Sequence, residues 1–199
     1  MSSTVRIALF AVIALVSVGV GLWFGAQRPP QEAANPYAHI GGPFTLEAPA
    51  GAVSLDDYRG KVVAIYFGYT HCPDICPTSL AALAAAVGQL TPEEQAQVQG
   101  VFISVDPERD DPKRSSEYAK AFHPTFQGLS GSADTIAEVA KRYFVIYEKV
   151  EMDDSAMGYA VDHSSIVYIL DREGTVQALV RHSNSPNEMA EALRTALTG

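Results

Sequence analysis

Apolar and polar positions follow three different rhythms along this chain. From Ile7 to Ala26 there is no alternation at all: 20 residues pass without a charge, between Arg6 and Arg28. A helix needs about 20 apolar residues to span a bilayer, so this run predicts a single N-terminal transmembrane anchor over residues 1–27. A cleavable signal carries a shorter apolar stretch, roughly 7–15 residues, ended by a small-x-small site. Gly25-Ala26-Gln27 is a poor site of that kind. Residues 28–43 are rich in proline and have no hydrophobic period, which reads as an extended tether.

From Phe44 to the C-terminus the pattern is that of a folded domain, residues 44–199. Phe44 to Glu47 and Val53-Ser54 flank Pro49-Ala50-Gly51, a small hairpin. Val62 to Tyr69 is apolar on both faces, as expected of a strand inside a parallel sheet. A helical stripe of Leu80, Leu83, Val87 and Leu90 follows, opened by Pro77 at its first position with Cys76 as N-cap. Thr91-Pro92-Glu93-Glu94 carries another helix start, Thr with Glu three residues on. Val101 to Val105 is a second buried strand, and Pro112 to Phe122 a helix with Tyr118, Ala119 and Phe122 turned inward. Gly128 to Gly131 is a brief extended link. Ser132 caps a helix whose stripe is Ile136, Val139, Ala140 and Tyr143. Val145 to Val150 reads as a strand, and Glu151 to Ala160 as a polar, mobile loop. Ile166 to Leu170 and Val176 to Val180, joined by Asp171-Arg172-Glu173-Gly174, form an antiparallel hairpin. Ser185-Pro186-Asn187-Glu188 is a capping box that opens the last helix.

Two βα units, a β-hairpin and a closing helix make the order of an α/β thioredoxin-like fold. In that order the loop entering the hairpin lies beside the loop after the first buried strand. His163 is therefore expected close to Cys72 and Cys76, although 87 positions separate it from Cys76.

Composition narrows the picture. Of 199 residues, 47% are hydrophobic and 19% charged, enough for one packed domain plus an appendage. The net charge of −9 argues against nucleic acid as a partner. Two cysteines cannot build a disulfide scaffold, so the core comes from packing. Asp106-Pro107-Glu108-Arg109-Asp110 reads as a solvated charged loop with caps and local ion pairs.

Those two cysteines, Cys72 and Cys76, sit in Tyr66-Phe-Gly-Tyr-Thr-His-Cys-Pro-Asp-Ile-Cys-Pro77, between strand and helix. Each precedes a proline, which disfavours helical backbone at both. The N-terminus of the following helix favours thiolate over thiol. Such a pair can form a structural disulfide, exchange disulfides or bind a soft metal; three intervening residues differ from the two of a thioredoxin motif. Two thiolates and an imidazole suit Cu(I) in a three-coordinate site, or Cu(II) with a further ligand. Zinc with an open position is the competing metal. Asp162 is a candidate for orienting His163. His71 should point away from the neighbouring sulfur. His39, His123, His182, Met152 and Met157 read as loop or packing residues rather than ligands.

Gly68-Tyr-Thr-His-Cys-Pro-Asp-Ile-Cys-Pro77 resembles the signature of the Sco (SenC-type) copper-binding proteins. Ser104-Val-Asp-Pro-Glu-Arg-Asp110, Phe122-His-Pro124 with Gly128-Leu-Ser-Gly131, and Asp162-His-Ser164 match in the same order. The resemblance implies a membrane-tethered thioredoxin-like domain that binds copper through Cys72, Cys76 and His163. It implies a metallochaperone rather than an enzyme, assisting assembly of the binuclear copper site in subunit II of cytochrome c oxidase. Other periplasmic copper chaperones or thiol reductants are further partners on this reading. The alternatives are a thiol–disulfide oxidoreductase using Cys72 and Cys76 as its redox pair, and a redox or copper sensor. Thioredoxin-like enzymes carry a cis-proline where this chain has Asp162-His163-Ser164, which favours metal over general disulfide exchange. The absence of an Arg-rich leader points to a bacterial inner membrane with the domain in the periplasm, rather than to a mitochondrion.

Overall fold

The computed structural model of the chain describes residues 16–20, 23, 35–152, 157–182 and 185–199. The chain divides into two compact units, Met1–Asn35 and Pro36–Gly199. In the first, residues 16–20 and 23 are helical; the rest of the expected span 7–26 lies outside the described residues. Among the described residues no helix is long and apolar enough to cross a membrane. The second unit begins at Pro36 rather than Phe44. The end of the expected tether is bonded into it: the Gly41 amide donates to the Arg142 carbonyl at 2.8 Å and the Tyr143 hydroxyl to that of Gly42 at 3.2 Å.

The second unit is built on a five-stranded sheet, preceded by the hairpin of β1 (Thr45–Ala48) and β2 (Gly51–Ser54). In chain order its strands are β3 (Val62–Gly68), β4 (Val98–Ser104), β5 (Gln127–Leu129), β8 (Ile166–Leu170) and β9 (Val176–Arg181). In space they run β5-β4-β3-β8-β9. β3, β4 and β5 are parallel, whereas β8 is antiparallel to β3 and β9 to β8. Every residue of β3 and β4 is buried, which is why neither shows polar alternation. Burying a Val, Ile or Phe side chain is worth about 1.5–3 kcal/mol, so this pair contributes a substantial share of the core.

The helices are α1 (Ile75–Gly88), α2 (Pro92–Gln95), α3 (Pro112–Phe122), α4 (Ala133–Arg142) and α5 (Pro186–Thr198). Thr91 and Glu94, and Ser185 and Glu188, form the expected reciprocal capping boxes, and Ser132 accepts from the Thr135 amide at 3.1 Å. α1 and α5 pack on one another, and α3 lies against β4 and β5.

Three sequence expectations change. The stretch expected as a link is partly strand: Gln127–Leu129 pairs with β4 as β5. Gly128 hides that strand from a propensity reading, yet it is required there: a Cβ would lie 1.8 Å from the Ser115 carbonyl oxygen of α3. α1 opens two residues before Pro77, with Asp74 as N-cap and Cys76 inside the first turn. Pro77 does not prevent this, because the amides of the first turn have no helical partner to lose. The strand expected over Val145 to Val150 is present as β6 (Tyr147–Glu151), but the end of the expected loop Glu151 to Ala160 is strand too: β7 (Tyr159–His163) pairs antiparallel with β6. Residues 153–156 between these strands lie outside the described residues.

Candidate metal centre

The centre forms where β3 ends and α1 begins, with the β6–β7 ribbon closing over it. Cys72 lies in the connecting turn and Cys76 at the second position of α1. The Cys76 amide, one of the unpaired donors of the helix start, points at Cys72 Sγ from 3.4 Å. Neither cysteine is in a disulfide; Cys76 is fully buried and Cys72 partly exposed. Cys76 fits against the strand only because residue 68 has no side chain: a Cβ on Gly68 would lie 2.8 Å from Cys76 Sγ.

His163 reaches the pair from the last position of β7, and its Nε2 lies 3.1 Å from Cys76 Sγ. The donor atoms of Cys72, Cys76 and His163 all lie within 4.8 Å of one another. The expected approach of the histidine is therefore what the fold produces. Nδ1 of His163 is 3.2 Å from the Ser164 carbonyl oxygen. A carbonyl only accepts, so Nδ1 carries a proton towards it, and Nε2 is the ring nitrogen that faces the sulfurs. The edges of Tyr66 and Tyr69 hold the imidazole, each with ring centroids 6.0 Å away and nearly perpendicular planes.

The two thiols share one proton between them. Hydrogen bonding from Cys76, opposed by burial and helped by His163 and the turn amides, pulls Cys72 down to about 3. The same interaction with Cys72, together with burial, pushes the Cys76 thiol up. The resting pair is a Cys72 thiolate beside a Cys76 thiol.

The charged loop after β4 is buried rather than solvated, contrary to the sequence expectation. Asp110, fully buried, accepts from the Thr70 amide at 2.8 Å, the Thr70 hydroxyl at 2.6 Å and the Ser104 hydroxyl at 2.7 Å. It thus ties down the residues that lead into Cys72. His71 turns towards this group, 3.7 Å from Asp110 and 3.2 Å from Arg114, away from the sulfurs as expected. Asp106, also buried, accepts from Arg109 Nε at 2.5 Å and from the Tyr159 hydroxyl at 2.7 Å.

Arg109 fastens the ribbon to the sheet. Its guanidinium sits 3.5 Å above the Tyr159 ring and 5.7 Å from that of Tyr69. Its Nη1 donates to the carbonyls of Met157 and Tyr159 at 3.2 and 3.0 Å. Lys149 adds an exposed pair with Glu108 at 2.5 Å. Gly68, Asp106, Arg109, Asp110 and Tyr159 are therefore site residues that the sequence reading did not single out as such. The signal available was Ser104 and Arg109 set among the carboxylates of Asp106, Glu108 and Asp110, donors close enough in sequence to satisfy buried charge.

The remaining candidates lie elsewhere. Asp162 is exposed, opposite Glu148 on the ribbon. His123 contacts Thr125 and Phe126, His39 contacts Phe144, and Met152 is exposed.

Comparison with known proteins gives a consistent set of likenesses. A family model described as SCO1/SenC matches residues 32–198. "Protein SCO1 homolog 1, mitochondrial" of Arabidopsis thaliana is 47% identical over 137 residues, 68% of this chain and 40% of that protein. The crystal structure of Arabidopsis thaliana ScoI with copper bound superposes with a TM-score of 0.74 at 40% identity, covering 80% of this chain and 98% of that one. BsSco, described as a member of the Sco family of cytochrome c oxidase assembly proteins with a disulfide switch, superposes with a TM-score of 0.64 at 27% identity, over 84% of this chain and 99% of that one.

Proposed function

Because this chain belongs to the SCO1/SenC family, we propose that it is a copper chaperone whose cargo is held by Cys72, Cys76 and His163. One observation carries the reading: two sulfurs and an imidazole nitrogen lie within 4.8 Å of one another, with Cys76 buried and Cys72 and His163 partly exposed. Two soft thiolates and one imidazole suit Cu(I) as a three-coordinate cargo, and Cu(II) when a water or further ligand completes a tetragonal set. The donor count, one short of a closed tetrahedral site, disfavours structural zinc.

The acceptor in this proposal is the binuclear copper site of subunit II of cytochrome c oxidase. The uncharged run Ile7 to Ala26 would tether the chain to a bacterial inner membrane, with Pro36–Gly199 in the periplasm. Uptake displaces the proton that the cysteine pair shares, and delivery returns it.

A specific observation also favours a second reading. The partly exposed Cys72 thiolate is poised to attack a disulfide of a partner. A mixed disulfide would form; Cys76, once deprotonated, would then attack Cys72 Sγ and release the partner as a dithiol, leaving Cys72–Cys76 oxidised. His163 has no necessary part in that exchange, which is why cargo binding is the preferred reading.

The test loads the full-length reduced protein, in detergent, with Cu(I) and measures metal per chain before and after oxidation to the Cys72–Cys76 disulfide. One copper per reduced chain and none in the oxidised form is expected, because a disulfide offers no thiolate. Full retention by the disulfide form overturns the ligand assignment.

A further inference from the structure

The segment that leads into the ribbon carrying His163 presents two large apolar side chains to solvent, with the edge of the His39 ring against the first of them. Phe144 and Ile146 are 62% and 78% exposed, in a segment whose other members, Tyr143 and Val145, are buried. Phe144 has φ +54, a left-handed backbone at the end of α4 where glycine would cost least. A bulky aromatic held outward in that conformation stores strain that packing within the fold does not explain.

Ile146 is the ridge between two hollows. On one side an open groove of about 410 Å³ is lined by Ala137, Phe144, Val145, Ile146 and Tyr147, with Lys141 alongside. On the other a hollow of about 270 Å³ is lined by Ile146, Glu148, Asp162, His163 and Ser164. Glu148 and Asp162 stand directly opposite one another across β6 and β7, both exposed. Like charges facing each other on a ribbon are destabilising, and neither carboxylate has an ion-pair partner among the described residues.

We propose that Phe144, Ile146, Glu148 and Asp162 form the docking surface for the protein that receives copper from this site. The two hollows dictate the partner's chemistry: an apolar side chain for the groove and a lysine or arginine for the acidic hollow, side by side. The cation would enter next to His163, so docking would bring the partner's own ligands to the edge of the copper site. A second copy of this chain fits poorly, since it would set one acidic pair against another. An anionic lipid surface is disfavoured for the same reason. This surface rests on the chaperone reading for the identity of its occupant, but not for its shape or charge.

The experiment uses the full-length protein in detergent and the apo copper domain of oxidase subunit II as probe, with binding and copper transfer measured separately. Phe144→Gly relieves the left-handed strain while removing the ring, and Ile146→Ser removes an exposed side chain, so neither threatens folding. Together they are expected to weaken probe binding about tenfold or more, as loss of an apolar anchor does. Glu148→Lys is expected to lower the association rate and flatten its salt dependence. All three variants should still hold one copper per chain. Variants that bind the probe as the parent does, with the same salt dependence, overturn the docking surface and leave the chaperone reading standing. A parent that binds the probe through this surface yet delivers no copper overturns the chaperone reading alone. A parent that does not bind the probe overturns the proposal, as does a surface whose variants change only self-association or binding to anionic vesicles.

Discussion

The donors of the candidate metal centre are held by two regions of opposite construction. Cys76 hangs from the first turn of α1, against a strand with every residue buried and beneath a glycine that leaves room for its sulfur. His163 ends a two-stranded ribbon whose first strand has four of its five residues exposed. An isolated two-stranded ribbon is at best marginally stable in water. What holds it here is Arg109, stacked on Tyr159 and bonded to Asp106, with Val161 buried beneath. The cysteine region is fixed by core packing and should open only with the whole domain. The histidine region is fixed by a few polar contacts and can open alone. On the proposed function, a site built in this way would keep its sulfurs in register while the histidine opens, which suits an ion that is to be handed on.

Removing ligands tests the contrast most severely. Cys76→Ser is expected to abolish stoichiometric copper binding, and His163→Ala to weaken it at least about 100-fold, since even an outer partner of a ligand is worth about 10–100-fold. Disulfide exchange depends on thiolate fraction, nucleophilicity and access, so His163→Ala should leave reduction of a partner disulfide largely intact while Cys76→Ser destroys it. Paired assays of copper affinity and disulfide reduction separate the two regions. Loss of both activities in His163→Ala would show that the ribbon also sets the cysteine chemistry.

The shared proton gives a pH signature that belongs to the cysteine region alone. Cys72, pulled down to about 3 in the folded protein, contributes stability that is present above its unfolded value and lost as pH falls towards about 3. Cys76, pushed up, contributes stability present below its unfolded value and lost as pH rises beyond it. Between these limits the unfolded chain holds one more proton than the folded one. Denaturation midpoints of the reduced protein should therefore rise from pH 5 to 8 relative to a Cys72→Ser/Cys76→Ser double variant. Calorimetry near pH 7 in buffers of different ionisation enthalpy should find one proton released per copper bound. Two protons would mean that Cys72 rests as a thiol.

The contrast also explains what the sequence disclosed. Val62 to Tyr69 was legible because a strand buried on both faces shows as an unbroken apolar run. That strand, the cysteine spacing and the order of elements sufficed to bring His163 to the sulfurs. β6 was legible as the strand expected over Val145 to Val150, but its partner β7 was not: Tyr159 to His163 has one buried residue, so no alternation marks it as a strand. Cys76 looked like a cap because the residue before a proline avoids helix, yet a first helical turn tolerates both. Asp106 and Asp110 looked solvated because their partners, Tyr159 and Thr70, lie 53 and 40 positions away. Burial of a charge is decided by tertiary partners that local pattern does not reveal.

Gly68→Ala acts on the cysteine region without replacing a proposed ligand. The new Cβ would lie 2.8 Å from Cys76 Sγ and 3.0 Å from the Tyr66 ring, against side chains locked in the core. Overpacking of this kind costs about 1–3 kcal/mol and should appear in equilibrium denaturation of the whole domain. Copper affinity should fall with it, because the displaced atom is a proposed ligand. An unchanged denaturation midpoint would mean that the strand end yields, and that the cysteine region is less rigid than its burial implies.

Tyr159→Phe should have the smallest effect and the most local one. The ring stays beneath Arg109, so the stacking survives; only the hydroxyl that donates to Asp106 at 2.7 Å is lost. A hydrogen bond to a charged acceptor is worth about 1.5–3 kcal/mol, and Asp106 keeps Arg109 at 2.5 Å, which places the loss at the lower end. That loss falls on the contact between ribbon and sheet, not on the sheet. Amides of β6 and β7 should exchange roughly tenfold faster with solvent water, while those of β3 and α1 keep their protection. Copper affinity should fall less than in His163→Ala, because the imidazole remains present and is only held less firmly. Equal acceleration in β3 would show that the ribbon and the sheet open as one unit, and the division between a fixed pair of sulfurs and a swinging histidine would fail.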